Sequence, residues 1–157
     1  ITVVCIGKLK ERYWTEAVQE YSKRLSKYCT LTISELKEEK APDNASAAEE
    51  TAVKEAEGRA ILKQIKKEAY VIALEVQGKE LTSESLSERI ASLGLSGKSD
   101  LVFVIGGSLG LSGEVLARAD FRLSFSRMTF PHQMMRVILL EQIYRSFKII
   151  RNEVYHK

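Results

Sequence analysis

The chain is predicted to fold as an α/β domain with a largely parallel sheet, and three observations carry that expectation. Short β-branched apolar runs alternate with longer segments of helical period, the order in which helices cross over between parallel strands. Two of the runs, 69–76 and 101–105, are apolar almost without interruption, as strands covered on both faces must be. No repeat or linker divides the 157 residues, so a single domain spanning 1–157 is expected.

Residues 1–6 are apolar and β-branched up to Gly7 and read as a strand. Tyr13, Trp14, Ala17, Val18, Tyr21 and Leu25 then recur at three- and four-residue steps, while Glu16, Glu20, Lys23 and Arg24 take other faces. This predicts a helix over 13–25 with its stripe toward the core. Cys29, Leu31, Ile33 and Glu35 alternate with Thr30, Thr32 and Ser34, the period of a strand with one wetter face. Residues 37–46 hold almost nothing to bury and read as an exposed loop. Ser46 and Glu49 have capping-box spacing at the head of an Ala/Glu/Lys-rich helix running to about residue 67, with Val53, Ile61, Leu62 and Ile65 inward.

The interior strand 69–76 carries one charge, Glu75, and is expected to end at Gln77 and Gly78. Thr82 is a candidate cap for a short helix over 82–93 with Leu86, Ile90 and Leu93 inward. Strand 101–105, the most hydrophobic of the chain, runs directly into Gly106, Gly107 and Gly110. A short helix to about Arg118 and a strand over 121–125 follow. After Pro131 a helix over 132–150 places Met135, Ile138, Leu139, Ile143 and Phe147 on its apolar side.

Composition excludes several classes. With 45% hydrophobic and 29% charged residues the chain has too much to bury for a disordered segment. No apolar run approaches the roughly 18 residues of a membrane helix, and no positive-then-apolar leader opens the sequence, so a soluble cytoplasmic protein is expected. Cys5 and Cys29 lie in strand-like runs and read as reduced thiols. His132 and His156 have no cysteine or carboxylate at ligand spacing, so no metal is expected. The net charge of +3 identifies no partner, but its distribution is uneven. Residues 8–27 hold six basic and three acidic groups and 118–157 eight and three, against seven and nine over 35–68. The two ends could present a basic face to phosphate, or be two solvated helix faces.

Two stretches are candidate sites. Gly106, Gly107 and Gly110 sit at the carboxyl edge of the most buried strand, where open α/β sheets bind ligands. They match neither the phosphate loop nor the dinucleotide fingerprint, and simple turn geometry is an equal reading. The run from Ser124 to Arg136 crowds hydroxyls, a guanidinium and apolar groups into one turn, suited to an amphipathic ligand such as an adenosine, or else a capped helix start with methionines in the core. On the last helix Glu141 shares a face with Arg145, and His132 with Arg136.

Four stretches together, IGKLK at 6–10, LVFVIGGSLG at 101–110, SFSRMTFPHQMMR at 124–136, and Tyr144 and Arg145 with the ending Tyr155, His156 and Lys157, resemble the bacterial large-subunit rRNA pseudouridine methyltransferases of the SPOUT class. The resemblance covers nearly the whole chain. It implies a C-terminal trefoil knot over about 100–157, a homodimer, S-adenosylmethionine as cofactor, and methylation of N3 of a pseudouridine in 23S rRNA on the assembled 70S ribosome. It also implies a cofactor site of Leu74, Gly106, Phe125, Ser126, Arg127, Met128, Thr129 and Phe130. For the target base the candidates are Arg145, Glu141, Tyr155 and His156. His132 and Arg136 are supports on the RNA side, and Lys8, Lys10, Arg12, Lys23, Arg24 and Lys27 are the candidate phosphate contacts. The alternatives are a SPOUT enzyme for tRNA or another rRNA position, and a non-catalytic ribosome-binding dimer.

Overall fold

Residues 1–155 are described in the computed structural model. The most apolar strand forms the middle of the sheet. β4 (Leu101–Ile105) is buried at every position and lies between β1 (Thr2–Ile6) and β3 (Tyr70–Glu80). β2 (Thr32–Leu36) pairs with β1, and β5 (Phe121–Ser124) with β3, giving the order β2-β1-β4-β3-β5 with every pair parallel. Parallel neighbours need crossover connections, and five helices are interspersed along the chain. They are α1 (Arg12–Leu25), α2 (Ala47–Leu62), α3 (Ser83–Leu95), α4 (Gly113–Arg118) and α5 (His132–Ile150).

Strand alternation decides which helix layer each side chain meets. Val3, Cys5, Ile72, Phe103 and Ile105 share a cluster with Val18 and Leu25 of α1, Leu86 and Ile90 of α3, and Leu139, Leu140 and Ile143 of α5. Val4, Ile6, Val71, Val102 and Val104 meet Ile61 of α2 and Val115 of α4 in the other. The result is a three-layer sandwich. Both cysteines are free, and burial pushes the Cys5 thiol up to about 11.

The caps form as their sequence signals indicate. The Ser46 amide donates to Glu49 Oε2 at 2.7 Å and the Glu49 amide to Ser46 Oγ at 3.3 Å, and Thr82 Oγ1 accepts from the Ser85 amide at 3.1 Å. Several boundaries differ. β2 begins at Thr32 rather than Cys29. α2 stops at Leu62 rather than near 67. Beyond it Arg118 donates to the carbonyls of Lys66, Lys67 and Ala69 at 3.2, 3.1 and 2.8 Å, and this tertiary contact holds the approach to β3 in place of further helix.

β3 does not end at Gln77 and Gly78 but continues to Glu80, because the extra residues bulge out. Leu74 and Lys79 both register with Leu123 of β5. Gly78 makes this possible. A Cβ there would lie 2.8 Å from the Arg122 and Leu123 backbone.

One side chain ties the sheet's carboxyl edge to α5. Arg136, 1% exposed, donates to the carbonyls of Ile6 and Gly7 at 2.7 and 2.6 Å and to Glu35 Oε1 at 2.6 Å. Its assignment as an RNA contact is therefore corrected: the guanidinium lies inside the protein, bound to β1 and β2. Replacing it removes the donor to two carbonyls and leaves Glu35 Oε1 with only the Leu9 amide, at 3.2 Å. Arg136→Met is expected to lower stability by about 3 kcal/mol in urea unfolding, and a loss under about 1 kcal/mol would contradict the clamp.

Candidate active site

The carboxyl ends of β3, β4 and β5 open into a cleft of about 800 Å³, within the range of roughly 300–1,000 Å³ that holds a cofactor-sized molecule. Its first wall is the turn after β4. Gly107 and Gly110 bridge each other, and the Gly110 amide donates to the Gly107 carbonyl at 3.1 Å. Gly106 packs against this return, since a Cβ on it would lie 2.9 Å from the Gly110 carbonyl group. Gly110 itself has φ of +85°, a left-handed conformation that favours glycine.

The second wall is the turn between β5 and α5. The Ser124 hydroxyl lies 3.0 Å from the Val76 carbonyl and 3.1 Å from that of Ser126, able to donate to either, and the Met128 amide donates to Ser126 Oγ at 3.0 Å. The β3 bulge supplies the third wall through Glu75, Val76 and Gln77. Apolar groups from Leu74, Ile105, Leu111, Leu123, Phe125 and Met135 also line it, as does Lys54 of α2.

Of the residues nominated for the cofactor, Leu74, Gly106, Phe125, Ser126, Met128, Thr129 and Phe130 line this one cleft. Arg127 is the exception. Its side chain is 94% exposed and lies 4.0 Å from Glu80, outside the lining. His132, nominated for RNA, is in the cleft wall instead. Burial holds its imidazole below the ordinary histidine range, with Arg136 and Lys10 adding to the effect and Glu38 opposing it.

The basic residues nominated for phosphate divide into two groups. Lys8, Lys10 and Arg12 are exposed at the carboxyl edge of the sheet, where Arg12 Nε pairs with Glu16 at 2.6 Å. Lys23, Arg24 and Lys27 are exposed at the other end of α1, about 17 Å along its axis.

Glu141, Arg145 and Tyr155 form one cluster. Arg145 Nε donates to Glu141 Oε1 at 3.0 Å, Tyr155 Oη donates to the same oxygen at 3.2 Å, and the Arg145 guanidinium lies 4.7 Å from the Tyr155 ring centre. Burial, then hydrogen bonding to Tyr21 and the nearby Glu141 charge, push the Tyr155 phenol well above its usual range. It remains a neutral O–H donor. His156 lies outside the described residues. Within one chain this cluster lies outside the cleft lining, since Glu141 and Arg145 are about 9 and 15 Å along α5 from Met135, the last residue of that helix in the cleft wall.

Residues the sequence reading did not place in the site include Glu75, Gln77, Ser108, Leu109 and Leu111. Glu75 had a signal, being the one charge in an apolar strand. Its Oε2 is buried without a hydrogen-bond partner among the described residues, with Arg122 at 3.9 Å. Among the described residues no three His, Cys, Asp or Glu side chains converge on a metal position, and no helix is long and apolar enough to cross a membrane.

A doubly covered parallel sheet with a ligand-sized cleft at its carboxyl edge defines an open α/β ligand-binding domain. Comparison with known proteins narrows this. The family model described as "Predicted SPOUT methyltransferase" matches residues 1–156, and the chain belongs to the SPOUT methyltransferase family. It is 61% identical over 157 residues to the "Ribosomal RNA large subunit methyltransferase H" of Clostridium novyi (strain NT), covering 100% of this chain and 99% of that protein. It is 57% identical, with the same coverage, to the protein so named in Clostridium kluyveri (strain NBRC 12016).

The depressed His132 imidazole has a signed consequence. Below about pH 6.5 the unfolded chain takes up the proton that the folded chain resists, so stability contributed at neutral pH is lost as pH falls. His132→Gln is expected to show a smaller stability loss than wild type between pH 7 and pH 5 in urea unfolding. Equal losses would contradict the assignment.

Proposed function

We propose that the chain transfers a methyl group from S-adenosylmethionine to N3 of a pseudouridine in 23S rRNA on the assembled ribosome, as a cytoplasmic homodimer. The observation that carries this reading is the single cleft in which the glycine turn and the turn over 125–130 face each other, in a chain of the SPOUT methyltransferase family.

The residues present fit the cofactor. Leu74, Ile105, Leu111 and Phe125 offer apolar walls to an adenine and to the methylenes of the methionyl chain, and the backbone of the two turns offers hydrogen-bonding groups to its edges. The orphaned Glu75 Oε2 is an acceptor suited to a positively charged group. When bound, S-adenosylmethionine supplies a methyl group already activated on a sulfonium. The remaining tasks fall to the protein: to align donor and nitrogen, exclude water, and help the imide N3 give up its proton as the methyl group arrives.

Leu74, Gly106 and the 125–130 turn hold the cofactor, with Arg127 taking part through its backbone only. Arg145 stabilises negative charge developing on the uracil oxygens, and Tyr155, a donor and a ring, hydrogen-bonds or stacks on the base. Glu141 orients both. His156 is the candidate proton relay. The separation along α5 supports a site shared between two copies, one contributing the cleft and its partner the Glu141, Arg145 and Tyr155 cluster. A C-terminal knot over about 100–157 would serve by fixing both turns. A single small domain offers limited surface to an RNA, and the ribosome surface supplies the remaining recognition.

The test is a labelled-methyl assay on ribosomes from a strain deleted for the protein. Methyl transfer is expected to intact ribosomes and little to protein-free rRNA, and mapping of the methylated nucleotide by mass spectrometry separates this reading from a tRNA or another rRNA target. Arg145→Ala and His156→Ala are each expected to lower turnover by about 10²-fold with cofactor binding retained, and full turnover in both would contradict the substrate-side assignment.

A mixed dimer of one Gly106→Val chain and one Arg145→Ala chain is expected to recover activity that neither parent dimer shows. No recovery would contradict a shared site.

A further inference from the structure

A second cleft, of about 420 Å³, lies between the carboxyl ends of α1 and α5 and shares no lining residue with the first. Five cations line it: Lys23 and Arg24 from the last turn of α1, Lys27 beyond it, Lys148 from the last turn of α5, and Arg151 beyond that. Cations in a helix's last turn offset its dipole, which accounts for Lys23, Arg24 and Lys148 singly. It does not account for Lys27, nor for the convergence of two helix ends on one cavity, while Arg151, the residue that caps α5, lies 4.9 Å over the Tyr28 ring. Lys23, Lys27 and Arg151 have no ion-pair partner among the described residues, whereas Arg24 is held by Glu20 at 2.8 Å.

The cleft already contains two carboxylates, Glu20, which holds Arg24, and Glu153. The chain leaves α5 through Asn152, whose φ of 54° turns it back, and the Glu153 amide donates to the Lys148 carbonyl at 2.9 Å. This brings Glu153 Oε2 to 2.6 Å from both Lys148 Nζ and Tyr28 Oη. The Lys148 side chain is 14% exposed, its stem packed and its ammonium matched by a carboxylate from the tail. An ammonium and a phenol converging on one oxygen form a site for a single charged oxygen, and Glu153 fills it from within.

Aromatic surface surrounds this point. The Tyr28 ring stacks on Phe147 at 5.6 Å and meets the edge of Tyr144 at 5.8 Å, and Tyr144 in turn meets Tyr155 at 4.9 Å. Cations that track a backbone beside rings that take bases are the arrangement of a nucleic-acid groove.

We propose that this cleft is a phosphodiester subsite for the substrate RNA, with Glu153 as a resident carboxylate that the incoming phosphate displaces from Lys148 and Tyr28. The inference rests on the RNA-modifying reading and deepens it. Displacement releases the segment that carries Tyr155 two residues further on, so docking of the RNA backbone and placement of the tail against the base become one event.

The test is co-sedimentation of the full chain with ribosomes from the deletion strain across a salt series, with methyl incorporation measured on the same samples. Glu153→Gln is expected to bind more tightly than wild type by about threefold or more, because the competing charge is gone. Lys148→Met and Lys27→Gln are expected to bind more weakly, each with a salt slope shallower by about one. A structural clasp would instead be loosened by Glu153→Gln and Lys148→Met alike, so shifts of the same sign, or no shift, overturn the proposal. Lys27, which touches neither Glu153 nor Tyr28 through a hydrogen bond, guards against a folding defect in Lys148→Met. A changed oligomeric mass for Lys27→Gln with unchanged ribosome affinity would assign the cleft to a contact between copies and likewise overturn it. Wild-type protein that sediments with ribosomes but incorporates no methyl contradicts the functional reading while leaving the sign test of the cleft intact.

Discussion

A guanidinium withdrawn from water needs acceptors for its N–H groups, and Arg136 finds three by reaching from the second turn of α5 to the ends of two strands. It binds the carbonyls of Ile6 and Gly7 and the carboxylate of Glu35, while Nε has no partner among the described residues. Parallel strands present unsatisfied carbonyls at this edge, so the clamp solves a problem the fold creates. It also fixes where α5 begins. Pro131, His132 and the turn over 125–130 follow from that anchor, and these form one side of the cleft. Cleft shape therefore depends on a residue that does not line it.

Much of the fold was legible because burial imposes period. The uninterrupted apolar run at 101–105 became the central strand, and the helix over 132–150 appears with those bounds. The capping box at Ser46 marked a helix start because its two hydrogen bonds are local. What failed was what depends on distant partners. Gly78 looked like a strand terminator because a glycine in a strand reads the same whether the chain stops or bulges against a neighbour, and only β5 decides. α2 was read too long because Arg118, some fifty residues later, holds the carbonyls after it.

The site was legible in part and for different reasons. Glycines at the end of a buried strand point to a ligand edge by topology alone, and the hydroxyl-rich turn before α5 shares their cleft. Charge was less informative. Arg136 and the exposed Lys8 are equivalent in a sequence, yet one is a buried clamp and the other solvated. The i, i+4 spacing of Glu141 and Arg145 gave their pairing, but not that Tyr155 would return to the same carboxylate oxygen. The distance of that cluster from the cleft, along a single rigid helix, is the strongest argument that one chain does not form the whole reaction centre.

The central claim is that the methyl donor lies between the glycine turn and the 125–130 turn. A crystal structure of the protein with S-adenosylhomocysteine, the demethylated product, tests it most directly. The account expects the adenosine between the backbones of residues 106–111 and 125–130, with Leu74 against it. Density for the adenosine in the basic cleft between α1 and α5, or at any site not touching both turns, would contradict it.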